Sequence, residues 1–301
     1  MPKSRVAIGI VTYNRLELLR ECLAAVKQQT VPADQVIVVD NGSTDGTHEW
    51  LSNVADITVV RQDNLGAAGG FSRVMREGYT GGHDWILCID DDVMLCPNTL
   101  QELVSSPVAR PEEVGFLACR VVSRAGQTYM TPLPADPFPL WYDTIGSGGY
   151  VRVADANFAG FMVSRTAIQR RGLPIKEFFL WEDDREFSER IARVMPCYLV
   201  INSVVVHHQG RDGRDFRGKR LLQVRNKAAR ILISDTTLQL KLWRLFKFGG
   251  WLMYVILRQG YPLACVKCAL VGLFLFRPKI EYVESDVDSV PMHREPVSNQ
   301  A

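Results

Sequence analysis

Three consecutive carboxylates, Asp90-Asp91-Asp92, close the apolar run Trp85-Ile86-Leu87-Cys88-Ile89. That run is too short for a helix and follows Gly81-Gly82, so it reads as a buried strand delivering three acids to its C-terminal end. Like charges so close together either raise a pKa or recruit a cation, and hard oxygen ligands suit Mg2+ or Mn2+. Two other groups have chemical potential. The stretch Trp181-Glu182-Asp183-Asp184 puts acids at the start of a helix running through Phe187 and Ile191, where the helix dipole favours them. Further on, Val204-Val205-Val206 reads as a strand ending in His207-His208. Neighbouring strand residues point to opposite faces, so one imidazole faces the sheet edge and the other is a bystander.

The elements that must position these groups alternate. Val6 to Val11 forms a strand ending in Thr12-Tyr13-Asn14-Arg15, and Leu16, Leu19, Leu23 and Val26 follow at helical spacing. Val36 to Val39 gives a second strand, ending in Asp40-Asn41-Gly42-Ser43-Thr44-Asp45, with a helix near His48. A third strand near Ile57 to Val60 precedes Asn64-Leu65-Gly66-Ala67-Ala68-Gly69-Gly70-Phe71 and an amphipathic helix through Val74, Met75 and Tyr79. Short buried strands alternating with helices predict a Rossmann-like, mostly parallel α/β sheet flanked by helices, whose ligands bind beyond the carboxyl ends of the strands. Thr12, Asn64, Asp40 and the aspartate triplet all fall on that edge. The glycine run is neither a GxGxxG nor a GxxxxGK, so the dinucleotide and P-loop signatures are excluded, and close packing or ligand approach are both open to it. Residues 131–149, rich in proline and glycine with Trp141 and Tyr142, read as a long substrate-lining loop.

Charge is unevenly distributed over the 301 residues. Residues 1–204 carry a net −6, residues 205–279 a net +12, and residues 280–301 a net −4. Basic residues from Arg211 to Lys247, mixed with Trp243, Trp251 and many leucines, suit a phosphate-bearing substrate or an anionic membrane surface lying against interfacial helices. No segment there holds the roughly 20 uncharged residues of a spanning helix. Seven scattered cysteines and an N-terminus without a charged-then-apolar leader point to a reducing cytoplasmic location, peripheral to the inner membrane. No nucleic-acid partner is expected. Cys265 and Cys268 read as helix-face residues rather than a zinc site.

Taken in order, the Thr12 to Arg15 motif, the Asp40 to Asp45 turn, the Asn64 to Gly70 run, the aspartate triplet, the acid box at Trp181 to Asp184 and the His207-His208 pair resemble glycosyltransferase family 2, most closely its bacterial galactofuranosyltransferases, with the rhamnosyltransferases close behind. The resemblance covers residues 5 to 210. It implies a GT-A fold over residues 1–210, with nucleotide-sugar binding in 1–92 and the acceptor and catalytic part in 93–210, followed by a helical, membrane-associating region with an acidic tail in 211–301. It implies a UDP-sugar donor, Mn2+ or Mg2+, inverting displacement, and a polyprenyl-linked or polysaccharide acceptor. Carried onto this chain, Thr12, Asn14, Arg15, Asp40, Asn64, Gly69, Gly70, Asp90 and Asp91 would hold the donor. Asp90 and Asp92, on one face of the strand end, would bind metal with His207 or His208. Asp184 would be the general base, with Asp183 the alternative, and Trp181 and Glu182 would meet the acceptor. A dTDP-rhamnose transferase and a non-catalytic nucleotide-sugar binding module are the competing readings. Homo-oligomerisation is left open.

Overall fold

The computed structural model describes residues 4–137, 140–208, 216–259 and 261–283. Its strands are β1 (Val6–Thr12), β2 (Gln35–Asp40), β3 (Thr58–Arg61), β4 (Trp85–Asp90), β5 (Val93–Leu95), β6 (Phe116–Ser123), β7 (Tyr150–Arg152), β8 (Phe161–Ser164) and β9 (Tyr198–His207). The helices are α1 (Leu16–Lys27), α2 (Thr47–Leu51), α3 (Gly66–Thr80), α4 (Thr99–Val104), α5 (Leu140–Gly148), α6 (Arg165–Arg171), α7 (Asp183–Ala192), α8 (Phe216–Ile233), α9 (Leu238–Gln259) and α10 (Pro262–Leu270).

One sheet runs in the order β3-β2-β1-β4-β8-β6-β9-β5, with β7 also paired to β9. Its first four strands are parallel, as the alternating pattern predicts. Beyond β4 the sheet is mixed, because β8 runs antiparallel to both β4 and β6. Two reversals restore direction: β6 and β9 run parallel to one another and hence with β4. The C-terminal end of β9 therefore emerges at the same edge as that of β4, although 117 positions separate His207 from Asp90.

Alternation along the strands divides the core into two layers. Ile8 and Ile10 of β1 and Leu87 and Ile89 of β4 meet Leu19, Leu23 and Val26 of α1. On the opposite face, Val11, Ile86 and Cys88 meet Phe71, Val74 and Met75 of α3, together with Phe187 and Ile191 of α7. Both layers explain why β1 and β4 are apolar runs without a polar face. A separate small core joins α8, α9 and α10 through Val224, Phe248, Val255 and Cys265. Ala229 of α8 also packs with Ala68, Ile175 and Phe178, so the basic helix closes over the end of the sheet.

Two expectations are corrected. The proline-rich loop at 131–149 contains α5, which begins directly after the last proline of that stretch and runs through Gly146 to Gly148. The strand expected at Val204 to Val206 extends back to Tyr198 as one ten-residue strand, and its pairing with β6 shifts register between Cys119 and Arg120. Strand β6 is buried on both faces along most of its length, so its sequence shows no alternation. Arg211, Arg214 and the acidic tail beyond Val283 lie outside the described residues.

Candidate active site

The triplet sits where β4 ends and β5 begins. Strand β5 pairs antiparallel with β9 in a register that sets Val93 opposite His207, and the His208 amide donates to the Asp92 carbonyl at 2.7 Å. This pairing decides between the histidines. One ligand atom from each of Asp90, Asp92 and His207 lies within 4.8 Å of the others, and His207 Nε2 is 3.5 Å from Asp92 Oδ1. His208 faces elsewhere: its Nδ1 lies 2.7 Å from Arg124 and 3.5 Å from Glu21.

Electrostatically the crowded carboxylates favour either protonation or a cation between them. Burial, then repulsion from Asp92 and Asp91, pushes the Asp90 carboxyl well above its usual range, and Asp183 adds to that repulsion. Burial holds His207 below its ordinary value, keeping the imidazole in the neutral form a metal requires. Its buried Nδ1 has no hydrogen-bond partner. Two carboxylates and a neutral imidazole fit Mn2+ by donor chemistry. Arg15 meanwhile bridges Asp91 Oδ1 at 3.1 Å and Asp92 Oδ2 at 2.9 Å.

The third carboxylate is held within the protein. Asp91 accepts from Thr12 Oγ1 at 2.8 Å as well as from Arg15, and its carboxyl is pushed up to about 6 by burial against those two stabilising contacts. Thr12, expected to face the nucleoside, is buried with its hydroxyl committed to Asp91. Asp40 is fully buried; Oδ1 accepts the Ser43 amide at 2.8 Å, whereas Oδ2 has no hydrogen bond, with His48 Nδ1 at 3.6 Å and Arg61 Nε at 4.0 Å. Asn14 links the loops after β1 and β2 by accepting from the Thr44 amide at 2.7 Å. Asn64 Oδ1 accepts the Gly66 amide at 2.9 Å. Gly69 and Gly70 are packed: an added Cβ would come within 2.3 Å of Leu65 and 2.4 Å of Val11, respectively.

The acid box lies on a strained loop. Phe179, Trp181 and Glu182 have φ of 65°, 66° and 69°, a left-handed conformation costing about 1–3 kcal/mol per residue without glycine. Two elements hold it there. Gly66, at the start of α3, has φ +70° and would place a Cβ 2.0 Å from the Phe179 carbonyl oxygen, so only glycine allows the two loops to meet. From the other side, Asn226 of α8 donates through Nδ2 to the carbonyls of Phe178, Leu180 and Trp181 at 2.8–2.9 Å. Arg225 donates to the carbonyls of Glu177 and Phe178. The partners of Arg225 and Asn226 are thus backbone carbonyls of this loop. Arg230 of the same helix pairs with buried Glu182 at 2.8 Å. Trp181 is half-buried, with the Arg220 guanidinium 5.6 Å from its ring centroid.

Asp183 and Asp184 begin α7. Burial and each other's proximity drive Asp183 well above the carboxylate range, whereas Asp184 rises to about 6, through burial offset by the Arg185 amide. Asp183 is buried and Asp184 half-buried. Asn226, Arg225, Arg230 and Gly66 are the site-building residues that motif spacing does not reveal, since most of what they hold is backbone.

A parallel half-sheet whose carboxyl edge gathers an Asp-x-Asp pair, an imidazole and a facing acid box defines a GT-A glycosyltransferase. The chain belongs to glycosyltransferase family 2, whose family description, Glycosyl transferase family 2, matches residues 7–172. Among curated proteins it is 36% identical over 285 residues to the galactofuranosyltransferase GlfT1 of Mycobacterium tuberculosis, covering 83% of this chain and 89% of that protein. GlfT1 of Mycolicibacterium smegmatis is 28% identical over 279 residues, covering 84% and 91%. Among solved structures, the mannosyltransferase PcManGT from Pyrobaculum calidifontis in complex with GDP-Man and Mn2+ superposes with a TM-score of 0.56 at 18% identity, over 90% of this chain and 88% of that one.

Proposed function

We propose that this glycosyltransferase moves galactofuranose from a UDP-linked donor, with inversion and with a divalent cation, to a lipid-linked or polysaccharide acceptor in bacterial cell-surface glycan synthesis. The convergence of Asp90, Asp92 and His207 within 4.8 Å carries the reading, and the galactofuranosyltransferase relatives supply the sugar. The unpartnered Asp40 Oδ2 accepts from the nucleoside. Asp90, Asp92 and His207 would hold the cation, which when bound would stabilise charge on the leaving diphosphate. Asp184 takes the proton from the acceptor hydroxyl as it attacks the anomeric carbon from the face opposite the leaving group. The strained loop sets the start of α7, whose first residue, Asp183, lies within the field of Asp90. Turnover assayed against UDP-galactofuranose, dTDP-rhamnose and GDP-mannose, after EDTA and again with Mn2+, should show transfer from the first alone and only with metal. Undiminished transfer in EDTA, or preference for dTDP-rhamnose, would reject the corresponding part.

The acceptor is met at a membrane. No helix among the described residues is long and apolar enough to cross one. Instead α9 exposes Leu238, Leu242, Phe246, Met253 and Leu257 as a stripe, Phe246 being 82% exposed, and Leu263 at the start of α10 is 86% exposed. Flanking Lys241, Lys247, Arg258 and Lys267 match the anionic cytoplasmic leaflet. The protein should float with vesicles of phosphatidylglycerol and phosphatidylcholine. Leu242→Glu with Phe246→Glu should weaken binding more than about tenfold, as each buried side chain contributes about 1.5–3 kcal/mol. Equal flotation of the double variant would refute this face.

A further inference from the structure

The acid box holds three consecutive carboxylates, Glu182, Asp183 and Asp184, and the first of them is matched by a cation from α8. Arg230 Nε lies 2.8 Å from Glu182 Oε2, and its Nη1 lies 2.5 Å from Glu189 Oε1, one helical stretch further along α7. Glu189 Oε2 is shared in turn by Arg244 of α9 at 3.2 Å and by Arg193 at 3.4 Å. Charge therefore alternates from the box to α9 through Glu182, Arg230, Glu189 and Arg244, and none of these four side chains is more than 22% exposed. Desolvation offsets much of the attraction in so enclosed a chain, which makes stability alone a poor account of it.

Position gives the pair a second consequence. Glu182 has a φ of 69° and caps α7 two residues before Asp184, so tying its carboxylate to α8 fixes the backbone from which Asp184 projects. The field acts at the same place. The Asp184 carboxyl stands at about 6: burial raises it most and the Glu182 charge adds to this, whereas the Arg185 amide and the charges of Arg185 and Arg230 draw it down. The other charged groups nearby are Asp183 beside it, Asp155 facing Arg185 at 3.6 Å, and Lys227 of α8, which lies in the field of Glu182, Arg185, Arg220 and Arg230. Across the cleft, Asp90 acts on Asp183. Glu182 and Arg230 are thus bound to each other and pull Asp184 in opposite directions. We propose that Arg230 is a positioning residue for sugar transfer, with Glu182 as its counter-ion: the pair ties the start of α7 to α8, and the Arg230 charge keeps Asp184 ionised and ready to take the acceptor's proton. This rests on the reading of Asp184 as the base and deepens it, giving Glu182 a role within the protein in place of a contact to the acceptor.

The test is a pair of titrations whose signs oppose one another. Glu182→Gln removes the negative member while Arg230 keeps Glu189, so Asp184 should titrate at least about half a pH unit lower than in the wild type. Arg230→Met removes the positive member and should move Asp184 upward. Changing both together should return it close to the wild-type value. Carbon-13 NMR of the full chain labelled at aspartate, with the Asp184 resonance assigned by Asp184→Asn, reads these movements without turnover. The acid limb of kcat/KM should move in the same directions. Damage to the fold alone does not reverse sign between two substitutions in one ion pair. Arg230→Met strips two enclosed carboxylates of a partner, so thermal melts accompany it, and Glu182→Gln decides the matter if that variant does not fold. An Asp184 that titrates unchanged in Glu182→Gln, or that moves the same way in both single variants, overturns the proposal. Resonances that move as expected while the acid limb stays in place would uphold the hold of the pair on Asp184 and overturn Asp184 as the base, so the two readings fail separately.

Discussion

Asp92→Ala is expected to cost at least about 10³-fold in transfer rate, the scale seen when a preorganised stabiliser of developing charge is removed. The same change should not weaken the metal-free fold. Asp90, Asp91 and Asp92 repel one another, and that repulsion helps push the Asp90 carboxyl far above its usual range. Removing one of the three relieves the others, while Arg15 keeps its 3.1 Å contact to Asp91. The melting temperature in EDTA should therefore hold or rise as activity disappears, and Mn2+, which stabilises the wild type by binding its folded state, should no longer raise it. Paired melting curves with and without Mn2+, beside a transfer assay, check this. A variant that loses activity together with several degrees of metal-free stability would mark Asp92 as structural; one that retains Mn2+-dependent turnover would move the metal elsewhere.

What was legible in the sequence was what local chemistry encodes. The runs that became β1, β2 and β4 are apolar because both faces of each strand are covered, and each ends in polar groups because the sheet edge is where the chain turns. That pattern needs no knowledge of the rest of the fold. The choice of His207 over His208 needs the pairing of Val93 with His207, a contact between strands more than a hundred positions apart. Alternation requires one bystander but does not say which. The least legible part was α8. Asn226 holds three carbonyls of a loop about 45 positions earlier, and a carbonyl has no side-chain identity to leave in a sequence. Likewise the glycine run showed its small residues without showing that Gly66 exists for the Phe179 carbonyl.

That strained loop sets up the second large effect. If Asp184 is the base, it must be ionised to accept a proton, and burial has lifted its carboxyl to about 6. The raised value makes the acid form dominate below that pH, so kcat/KM should fall about tenfold for each unit below pH 6 and level off above it. Asp184→Asn should lower kcat about 10²–10⁴-fold, the usual range for a positioned base, and abolish this acid limb. Binding of UDP with Mn2+ should survive, because the proposed ligands Asp90, Asp92 and His207 are untouched. Asp183 is the necessary control. It is the more deeply buried of the pair and lies within the field of Asp90, so Asp183→Asn should chiefly alter metal affinity and leave the acid limb in place. If Asp183→Asn instead erases the limb while Asp184→Asn retains it, the proton goes to Asp183. The loop's left-handed residues would then serve to aim the first residue of α7, not the second, across the cleft.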